Sequence, residues 1–355
     1  MMNRRLLSIL SISALSMTGL AVAEDEAPFL LGPPTQAGPV VVEVGFYLSD
    51  VNDVDEEDQQ IEIEGILTLR WQDDRLVFDP TAAGVQEKVF QGNYQFSEVA
   101  TGWWPQLVLA NESGGYERQG MVLRNRFDGL MVYIEEMNAT VEIPMGLRRF
   151  PFDRENFEIV FEVLGFNQDE VLLEADPHTT GSEARGVSIS EWRLEEIRVA
   201  TREYDPVYGD GREGVLSAFV MTLDMARRPG FMLRVVVIPL MLLVALSWSV
   251  FWMDRESLGD RMDISFIGIL TVVAYQIMIS GILPRISYLT LMSVFLYICI
   301  LTMCAAVVVN LVVGQLDRTG RREQGDRIDR RCRWAFPLGY AVAILLATGY
   351  FFLRY

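Results

Sequence analysis

The sequence predicts an all-β sandwich followed by a four-helix membrane domain, and three observations indicate this fold class. Half of the 355 residues are hydrophobic (50%), yet 22% are charged, which fits neither an ordinary soluble protein nor a chain embedded in a membrane throughout. Residues 24–228 carry 40 acidic and 16 basic side chains, whereas residues 229–355 carry 8 and 12. Short alternating segments fill the first part, and four long uncharged segments fill the second. We therefore expect an acidic water-soluble domain at 24–228 and a membrane domain at 229–355.

Residues 1–23 have the pattern of a secretory signal peptide. Arg4 and Arg5 precede an apolar stretch, and the small residues Ala21 and Ala23 end it, as a cleavage site requires. The alternative is an amphipathic anchor that is retained. Cleavage after Ala23 would leave the acidic domain on the exported side. All three cysteines lie in the membrane half, so that domain would fold without a disulfide.

The acidic domain shows the period-two alternation of strands. Apolar and polar residues alternate in five segments, with Gly, Pro, Asn and Asp between them at the spacing of a β-sandwich: residues 40–44, 61–69, 129–134, 157–161 and 214–223. Residues 50–58 form an acidic loop between the first two segments. Solvated turn residues and a divalent-ion site both remain open interpretations of this loop, although its acids do not have the spacing of a calcium-binding loop.

The membrane half contains four uncharged runs of spanning length. About 20 apolar residues at about 1.5 Å each cross the hydrocarbon core. We place helices at about 231–253, 262–284, 286–316 and 334–353. The short linker at 317–333 contains seven arginines against four acids and is therefore expected to be cytoplasmic. This orientation puts the acidic domain and the C-terminus outside, in agreement with a signal peptide.

The second predicted helix carries a distinctive stripe. Six residues recur every three or four positions and therefore share one helical face, which begins with a carboxylate and continues as apolar or small residues: Asp263, Ile267, Leu270, Ala274, Ile277 and Gly281. A charge at the end of a spanning helix usually faces protein or water. The stripe therefore indicates a helix that lines a pathway, whereas a lipid-facing or helix-packing face is the alternative.

Three segments of the predicted sandwich carry more specific motifs. Residues 71–80 (WQDDRLVFDP) are similar to W-x-D-x-R-L-x-W-x-P, with Phe78 in place of the second tryptophan, and residues 104–111 (WPQLVLAN) are similar to W-x-P-D-L-x-L-x-N. Residues 150–153 (FPFD) form the third motif, with Ile143 and Phe157 where bracketing cysteines would stand. These motifs resemble those of pentameric ligand-gated ion channels, the Cys-loop receptor superfamily. Residues 248–252, 270–275, 282–285 and 331–339 resemble prokaryotic members, which lack the Cys-loop disulfide.

The resemblance implies an immunoglobulin-like sandwich in a homopentamer in the bacterial inner membrane, with the large domain and the C-terminus in the periplasm. The second helices would line the pore, where Asp263 would form a ring of five carboxylates at the cytoplasmic mouth, with Asp260 as a second ring below it. Such rings attract cations, so we expect permeation by monovalent cations. Leu270 and Ile277 are the expected gate, because a narrow apolar constriction dewets. For Asp263 alone, a helix-start acid is the alternative.

The resemblance also implies an interface that couples the two domains. We expect it to consist of the acidic loop, the FPFD motif, the end of the last strand and the start of the loop after the pore helix: Asp53, Asp55, Phe150, Pro151, Phe152, Asp153, Arg227, Pro284 and Arg285. Opposite charges there would provide a contact with two states that binding can bias. A static surface salt bridge, worth about 0–1 kcal/mol, is the alternative.

An agonist site between subunits is the least specific expectation. The positions that match the family's site are Asn52, Val108, Ile134, Glu162, Leu164, Tyr204 and Tyr208. Leu164 replaces an expected aromatic residue and Val108 is not acidic, so the site departs from an aromatic box for cationic amines. Tyr204 and Tyr208 are alternatively ordinary loop residues. The stimulus is therefore a small organic molecule or protons, without a choice between them.

Other functional classes are disfavoured. With one histidine, no cysteine outside the membrane half and no nucleophile or metal-ligand spacing, the sequence does not indicate an enzyme, a cofactor or a nucleic-acid partner. A non-conducting, membrane-anchored periplasmic receptor would explain the sandwich and the four helices equally well. It would not require the acid-then-apolar stripe on the second helix.

Overall fold

The structure is a computed structural model that describes residues 32–34, 38–91, 102–176, 178, 180–181, 191–204, 214–253, 258–281 and 286–354. The signal peptide predicted at 1–23 lies outside these residues.

The first half of the chain is a sandwich of two β-sheets. Its strands are β1 (Val40–Asp55), β2 (Gln60–Gln72), β3 (Glu87–Gln91), β4 (Leu107–Leu109), β5 (Glu112–Arg126), β6 (Leu130–Glu142), β7 (Arg154–Val163), β8 (Val171–Ala175), β9 (Trp192–Tyr204) and β10 (Leu216–Arg227). One sheet has the order β3-β5-β6-β2-β1-β8 and the other β4-β7-β10-β9. Neighbouring strands are antiparallel except β1 and β8. The predicted two-layer β domain is therefore confirmed.

The core lies between the two sheets because alternate residues of each strand face inward. In β2, for example, every second residue is buried. Phe46 of β1 meets Phe161 of β7 across the interface, with ring centroids 5.3 Å apart. Gly65 makes this packing possible: a Cβ there would lie 2.4 Å from the Phe46 ring.

The first sequence motif closes one end of the core. Asp73 is fully buried and accepts hydrogen bonds from the Arg75 side chain, whose Nε lies 2.8 Å from Oδ1. Trp71 packs edge-to-face on Trp103, with centroids 6.2 Å apart. Where β2 leaves the sheet, the motif therefore places the Asp73 carboxylate in an ion pair with Arg75 and packs the Trp71 ring against Trp103.

Four helices long and apolar enough to cross a membrane follow the sandwich: α1 (Gly230–Phe251), α2 (Leu258–Ser280), α3 (Leu291–Arg318) and α4 (Arg322–Arg354). Helix α1 contains a π turn at Leu233–Val237. Pro239 explains this widening, because it has no N–H to donate and its ring crowds the preceding carbonyl groups. The four apolar helices of the predicted fold class are confirmed.

The structure corrects the predicted bounds of three of these helices. Helix α2 runs from Leu258 to Ser280 rather than over 262–284. Helix α4 begins at Arg322 rather than near 334, so most of the segment predicted as a linker, 317–333, is helical. Polar, arginine-rich sequence is compatible with a helix that extends beyond the membrane, and hydropathy alone does not detect its start. Helix α3 begins at Leu291 rather than 286, where the buried Thr290 caps it by accepting a hydrogen bond from Ser293 N at 3.1 Å.

Candidate functional site

The acid-then-apolar stripe of α2 is the face that its own chain leaves open. Asp263, Ala274 and Gly281 are exposed, and so are the three large apolar members of the stripe: Ile267 (64%), Leu270 (72%) and Ile277 (68%). Within a single chain, therefore, this stripe is not a helix-packing face. It is available to line a pathway or to meet another molecule.

The opposite face of α2 packs against the rest of the helix bundle. Arg261, Ser265 and Val272 are almost completely buried. Gly268 allows close approach to α3, since a Cβ there would lie 3.2 Å from the sulfur of Met303. This packing sets the rotation of α2 about its own axis and so determines which residues form the open face.

Three of the predicted positions near the ends of α2 are only partly described. Asp260 lies in the first turn of α2, but its side chain is not among the described groups. Pro284 and Arg285 lie outside the described residues. Their predicted roles therefore remain predictions.

A buried charge cluster lies where the sandwich meets the membrane helices. The guanidinium of Arg227, at the end of β10, has an exposed side-chain fraction of only 2%. Its Nε lies 3.0 Å from both carboxylate oxygens of Asp153, and Nη1 lies 2.6 Å from Glu56 and 3.8 Å from Glu191. The alternative of an exposed surface salt bridge is therefore wrong.

Aromatic rings complete the burial of Arg227. The guanidinium carbon lies 4.1 Å from the ring centroid of Trp192 and 4.8 Å from that of Phe150. Backbone hydrogen bonds add to these contacts: Arg227 N donates to Asp153 O at 3.1 Å, and Arg228 N donates to Glu191 O at 2.7 Å. One cation thus joins the β1–β2 turn, the FPFD motif and the start of β9, three residues before α1 begins at Gly230.

The stretch around Asp53 to Asp58, expected at the interface, reaches this cluster through Glu56. The predicted loop at 50–58 is strand up to Asp55, because β1 ends there. Asp53 accepts a hydrogen bond from the backbone N–H of Val54 and Asp55 accepts one from that of Asp58, each at 2.9 Å. Glu56 makes the contact with Arg227. In such a local turn, only the three-dimensional path of the backbone determines which of several neighbouring acids points inward.

Burial perturbs the acids around Arg227. It raises the pKa of Asp153 against the opposing effect of Arg227 itself. Burial also raises the pKa of Glu155, and the nearby charge of Asp153 raises it further. The pKa of Glu191 is raised in the same way by burial and by the nearby charge of Glu56. These carboxylates take up protons at a higher pH than ordinary surface carboxylates do.

The FPFD motif continues from this cluster into the membrane domain. Pro151 is buried, whereas Phe152 projects toward the helices and packs on Phe352 of α4 with ring centroids 5.9 Å apart. Pro151 and Phe152 also cover an apolar cavity of about 190 Å³ bounded by α1, α3 and α4. Beside it, Tyr288 accepts a hydrogen bond from Leu147 N at 3.2 Å. The motif is thus in contact with both halves of the chain.

The structure divides the described agonist-site residues between the two sheets. Asn52 and Ile134 lie on β1 and β6 of the six-stranded sheet. Val108 and Glu162 are cross-strand partners on β4 and β7 of the other sheet, which Leu164 and Tyr204 also adjoin: Leu164 follows β7, and Tyr204 ends β9. Tyr208 lies outside the described residues. One subunit does not bring the two groups into one pocket, so a complete site would need a second subunit.

The sandwich also contains a polar cluster that the sequence analysis missed. Glu135 is 3% exposed and accepts hydrogen bonds from Tyr116 at 2.6 Å, from Arg118 Nε at 2.8 Å and from Tyr133. Burial, followed by the hydrogen bond to Glu135, raises the pKa of Tyr116. The cluster borders a cavity of about 520 Å³, which Val108 also lines. The sequence signal for this cluster was Glu135 itself, an acid at an inward-facing position of β6 among inward-facing apolar residues.

A metal site is not supported in the part of the chain that the structure describes. Among these residues, no group of three or more His, Cys, Asp or Glu side chains is arranged to hold a metal ion.

Comparisons with known proteins match both halves of the chain. Residues 30–229 match the family model of the neurotransmitter-gated ion-channel ligand binding domain, and residues 236–325 match that of the neurotransmitter-gated ion-channel transmembrane region. The first match includes the Arg227 cluster, and the second includes the stripe of α2.

Individual relatives are more distant in sequence. A proton-gated ion channel of Gloeobacter violaceus is 23% identical over 320 residues, which are 90% of this chain and 86% of the relative. The pH-sensitive chloride channel 2 of Anopheles gambiae is 26% identical over 260 residues, which are 71% of this chain and 42% of the relative. The gamma-aminobutyric acid receptor subunit gamma-3 of Homo sapiens is 25% identical over 288 residues, which are 78% of this chain and 58% of the relative.

Proposed function

The chain belongs to the neurotransmitter-gated ion-channel family, a family of pentameric channels gated by small-molecule ligands or protons, and from this premise we propose that it forms a homopentameric, cation-selective channel. The pore is lined by α2, and a signal at 1–23 directs the sandwich to the periplasmic side of a bacterial inner membrane. The family consists of channels rather than enzymes.

The exposed stripe of α2 is proposed to determine whether the channel conducts cations or anions. Family membership does not decide it, because one relative is named a chloride channel. Asp263 is the acid of the stripe, and it lies on the open face of the helix at the end opposite the sandwich. Five such carboxylates around an axis would concentrate cations and repel anions at the cytoplasmic mouth. Asp260 would add a second ring.

Neutralising Asp263 tests this proposal. In planar bilayers with purified protein under a KCl gradient, we expect the wild-type reversal potential to lie near that of potassium. Asp263→Asn should move it toward zero and lower the unitary conductance at least about two-fold, because the ring would lose its charge. Asp326→Asn makes the same chemical change at an exposed position in α4 and should leave both quantities unchanged.

Two other results would contradict the proposal. An unchanged reversal potential in the Asp263→Asn channel would remove the selectivity role of the ring. If the wild-type protein passes no current across a range of pH and a panel of amines and carboxylates, the chain is a non-conducting periplasmic receptor instead.

The apolar part of the stripe is the proposed gate. Leu270 and Ile277 are two turns apart on the open face, with Ala274 between them, and both are more than two-thirds exposed in the isolated chain. In a pentamer, each would form a ring of apolar side chains around the axis. A narrow apolar ring stops ions by excluding water without closing completely.

The Arg227 cluster is the proposed link between stimulus and gate. It joins three loops of the sandwich to the start of α1, while Phe152 reaches α4. A movement of the sandwich that separates Arg227 from Asp153 or Glu56 would expose a buried charge, so the cluster favours two discrete arrangements over a continuous range.

An organic ligand between subunits is one proposed stimulus, with Val108, Glu162, Leu164, Tyr204 and Tyr208 on one side and Asn52 and Ile134 on the other. Protons are the second, and a specific observation favours them: three carboxylates near Arg227, those of Asp153, Glu155 and Glu191, have raised pKa values. As the pH falls through those values, these acids become neutral and the balance of charge around Arg227 changes, while Arg227 still links the loops to α1. The response should begin above about pH 4, where ordinary carboxylates remain charged.

Glu155→Gln tests the proton response. Asp153 raises the pKa of Glu155, so the charge of Glu155 in turn raises the pKa of Asp153. Removing that charge should lower the pKa of Asp153 and shift the midpoint of the pH–current curve to lower pH. Glu117→Gln, at an exposed position of β5, is the control and should leave the midpoint unchanged. An unshifted midpoint in Glu155→Gln would exclude this cluster as the proton sensor.

A further inference from the structure

The cytoplasmic ends of the helices meet around a buried arginine. Arg261 of α2 is 1% exposed, and its Nη1 lies 3.6 Å from Oδ2 of Asp329 in α4, which is 4% exposed. Arg261 Nη2 also donates to the carbonyl oxygen of Met253, just after α1. In a second contact between these ends, Arg333 Nε of α4 donates to Phe251 O at 3.0 Å. Helix α4 is therefore attached to the inner ends of both α1 and α2.

Arg261 and the proposed selectivity residue project from opposite faces of one helix. Arg261 and Asp263 are two positions apart, which corresponds to a rotation of about 200° at 3.6 residues per turn. The burial agrees with this geometry, because Arg261 is enclosed whereas Asp263 is exposed. A contact that fixes the direction of Arg261 therefore also fixes the direction of Asp263.

The pair also bears on the charge at the pore mouth. An unpaired Arg261 beside each Asp263 would cancel much of the negative potential of a carboxylate ring, since their charges are opposite and only two residues apart. Asp329 compensates the positive charge of Arg261 from the far side of the helix. The field of the ring toward the pore is thereby preserved.

We propose that Asp329 is a positioning residue for ion permeation: through Arg261 it holds the inner end of α2 in the rotation that directs Asp263 to the pore. This inference rests on the proposed function of the Asp263 ring. It also assigns a role to α4. Only 11% of the apolar span of α4 is buried within the chain, compared with 39% of the span of α3. Among the described residues, the Arg261–Asp329 pair links this helix, which has the least buried span, to the inner end of α2.

Asp329→Asn tests the proposal in assembled channels in planar bilayers. The variant should lower the unitary cation conductance about two-fold and alter its rectification, because the unpaired Arg261 would weaken and misdirect the ring. Unitary conductance is measured on single open channels, so a role confined to folding would change the number of channels but not this value. Asp326→Asn lies one turn earlier in α4 at an exposed position and should conduct like the wild type.

A reversed pair provides an independent test, including the case in which Asp329→Asn does not assemble. Arg261→Glu combined with Asp329→Arg retains one buried acid and one buried base, and should recover near wild-type conductance, whereas Arg261→Glu alone should not. If assembled Asp329→Asn channels have wild-type conductance, or if Arg261→Glu alone conducts as well as the reversed pair, the inference is wrong.

Asp263→Asn channels measured in the same bilayers separate this inference from the proposed function. If Asp263→Asn lowers the conductance and Asp329→Asn does not, only the positioning role fails. If Asp263→Asn has no effect, the selectivity ring itself fails.

Discussion

Replacing Arg227 with alanine is expected to abolish channel activation. The substitution would remove the one cation that connects Asp153 of the FPFD motif, Glu56 of the β1–β2 turn and the first residues before α1. The sandwich would then lose the side-chain connection between these loops and the start of α1, and Phe152 on Phe352 and Tyr288 at Leu147 would remain as its contacts with the later helices. We expect no stimulus-dependent current from assembled Arg227→Ala channels, at a pH or with a ligand that opens the wild type.

The same substitution is expected to destabilise the sandwich. Removing one partner of a buried ion pair costs about 3–5 kcal/mol, because the remaining charge stays buried without compensation. Asp153 would then be a buried carboxylate without its partner, since its side chain is 1% exposed. Combining Arg227→Gln with Asp153→Asn leaves neither of these two buried charges. This double variant should therefore assemble but remain silent, and gel filtration with bilayer recording would separate the two effects.

An exposed arginine on the neighbouring strand supplies the matched control. Arg198 of β9 pairs with Asp224 of β10 at 2.6 Å, but its side chain is 54% exposed. Exposed pairs contribute only about 0–1 kcal/mol, so Arg198→Ala should assemble and gate normally. If the assembled double variant at Arg227 and Asp153 also gates normally, the cluster is structural and does not couple the domains.

Replacing Leu270 with serine is expected to produce channels that conduct without a stimulus. Leu270 is the most exposed of the large apolar residues in the stripe of α2. Five hydroxyl groups in place of five isobutyl groups would both widen the ring and hydrate it, so the closed state would lose its barrier to water and ions. The resting open probability in bilayers should rise at least about ten-fold, which corresponds to a shift of about 1.4 kcal/mol between closed and open states.

Leu345 of α4 allows the same change to be made outside the proposed pore. It is 70% exposed in the isolated chain, close to the value for Leu270. Leu345→Ser should therefore show no resting current if the effect at Leu270 arises from wetting of the pore. Equal leaks in the two variants, or an unaltered closed state in Leu270→Ser, would place the gate elsewhere.

Much of the architecture follows from simple patterns in the chain. Period-two alternation predicted the two-sheet domain, and uncharged runs of about 20 residues predicted four spans, because burial in a core and burial in lipid each select apolar side chains. The predicted helix bounds were less accurate where a helix extends beyond the membrane, because apolar side chains are not selected there. Helix α4 continues for a dozen residues through polar, arginine-rich sequence before 334, and hydropathy does not distinguish such an extension from a loop.

The candidate site was only partly predictable for a related reason. The stripe of α2 is local, so its period revealed a shared face. Glu56, Glu135 and Asp329 each gained importance through partners more than 15 residues away: Arg227, Arg118 and Arg261. Other acids of the same types, such as Asp263 and Asp326, are exposed, and composition does not separate the two groups.

The sequence by itself determined the division into an acidic β domain and a membrane domain, the family motifs, and the acid-then-apolar face of the second helix. These features depend on composition or on residues a few positions apart. Only the tertiary structure decided that Arg227 is buried rather than exposed, that Glu56 rather than Asp53 or Asp55 meets it, and that Asp329 holds the far side of α2. Such contacts depend on how distant segments converge, and burial changes a charge from a solvated surface group into one that must be paired.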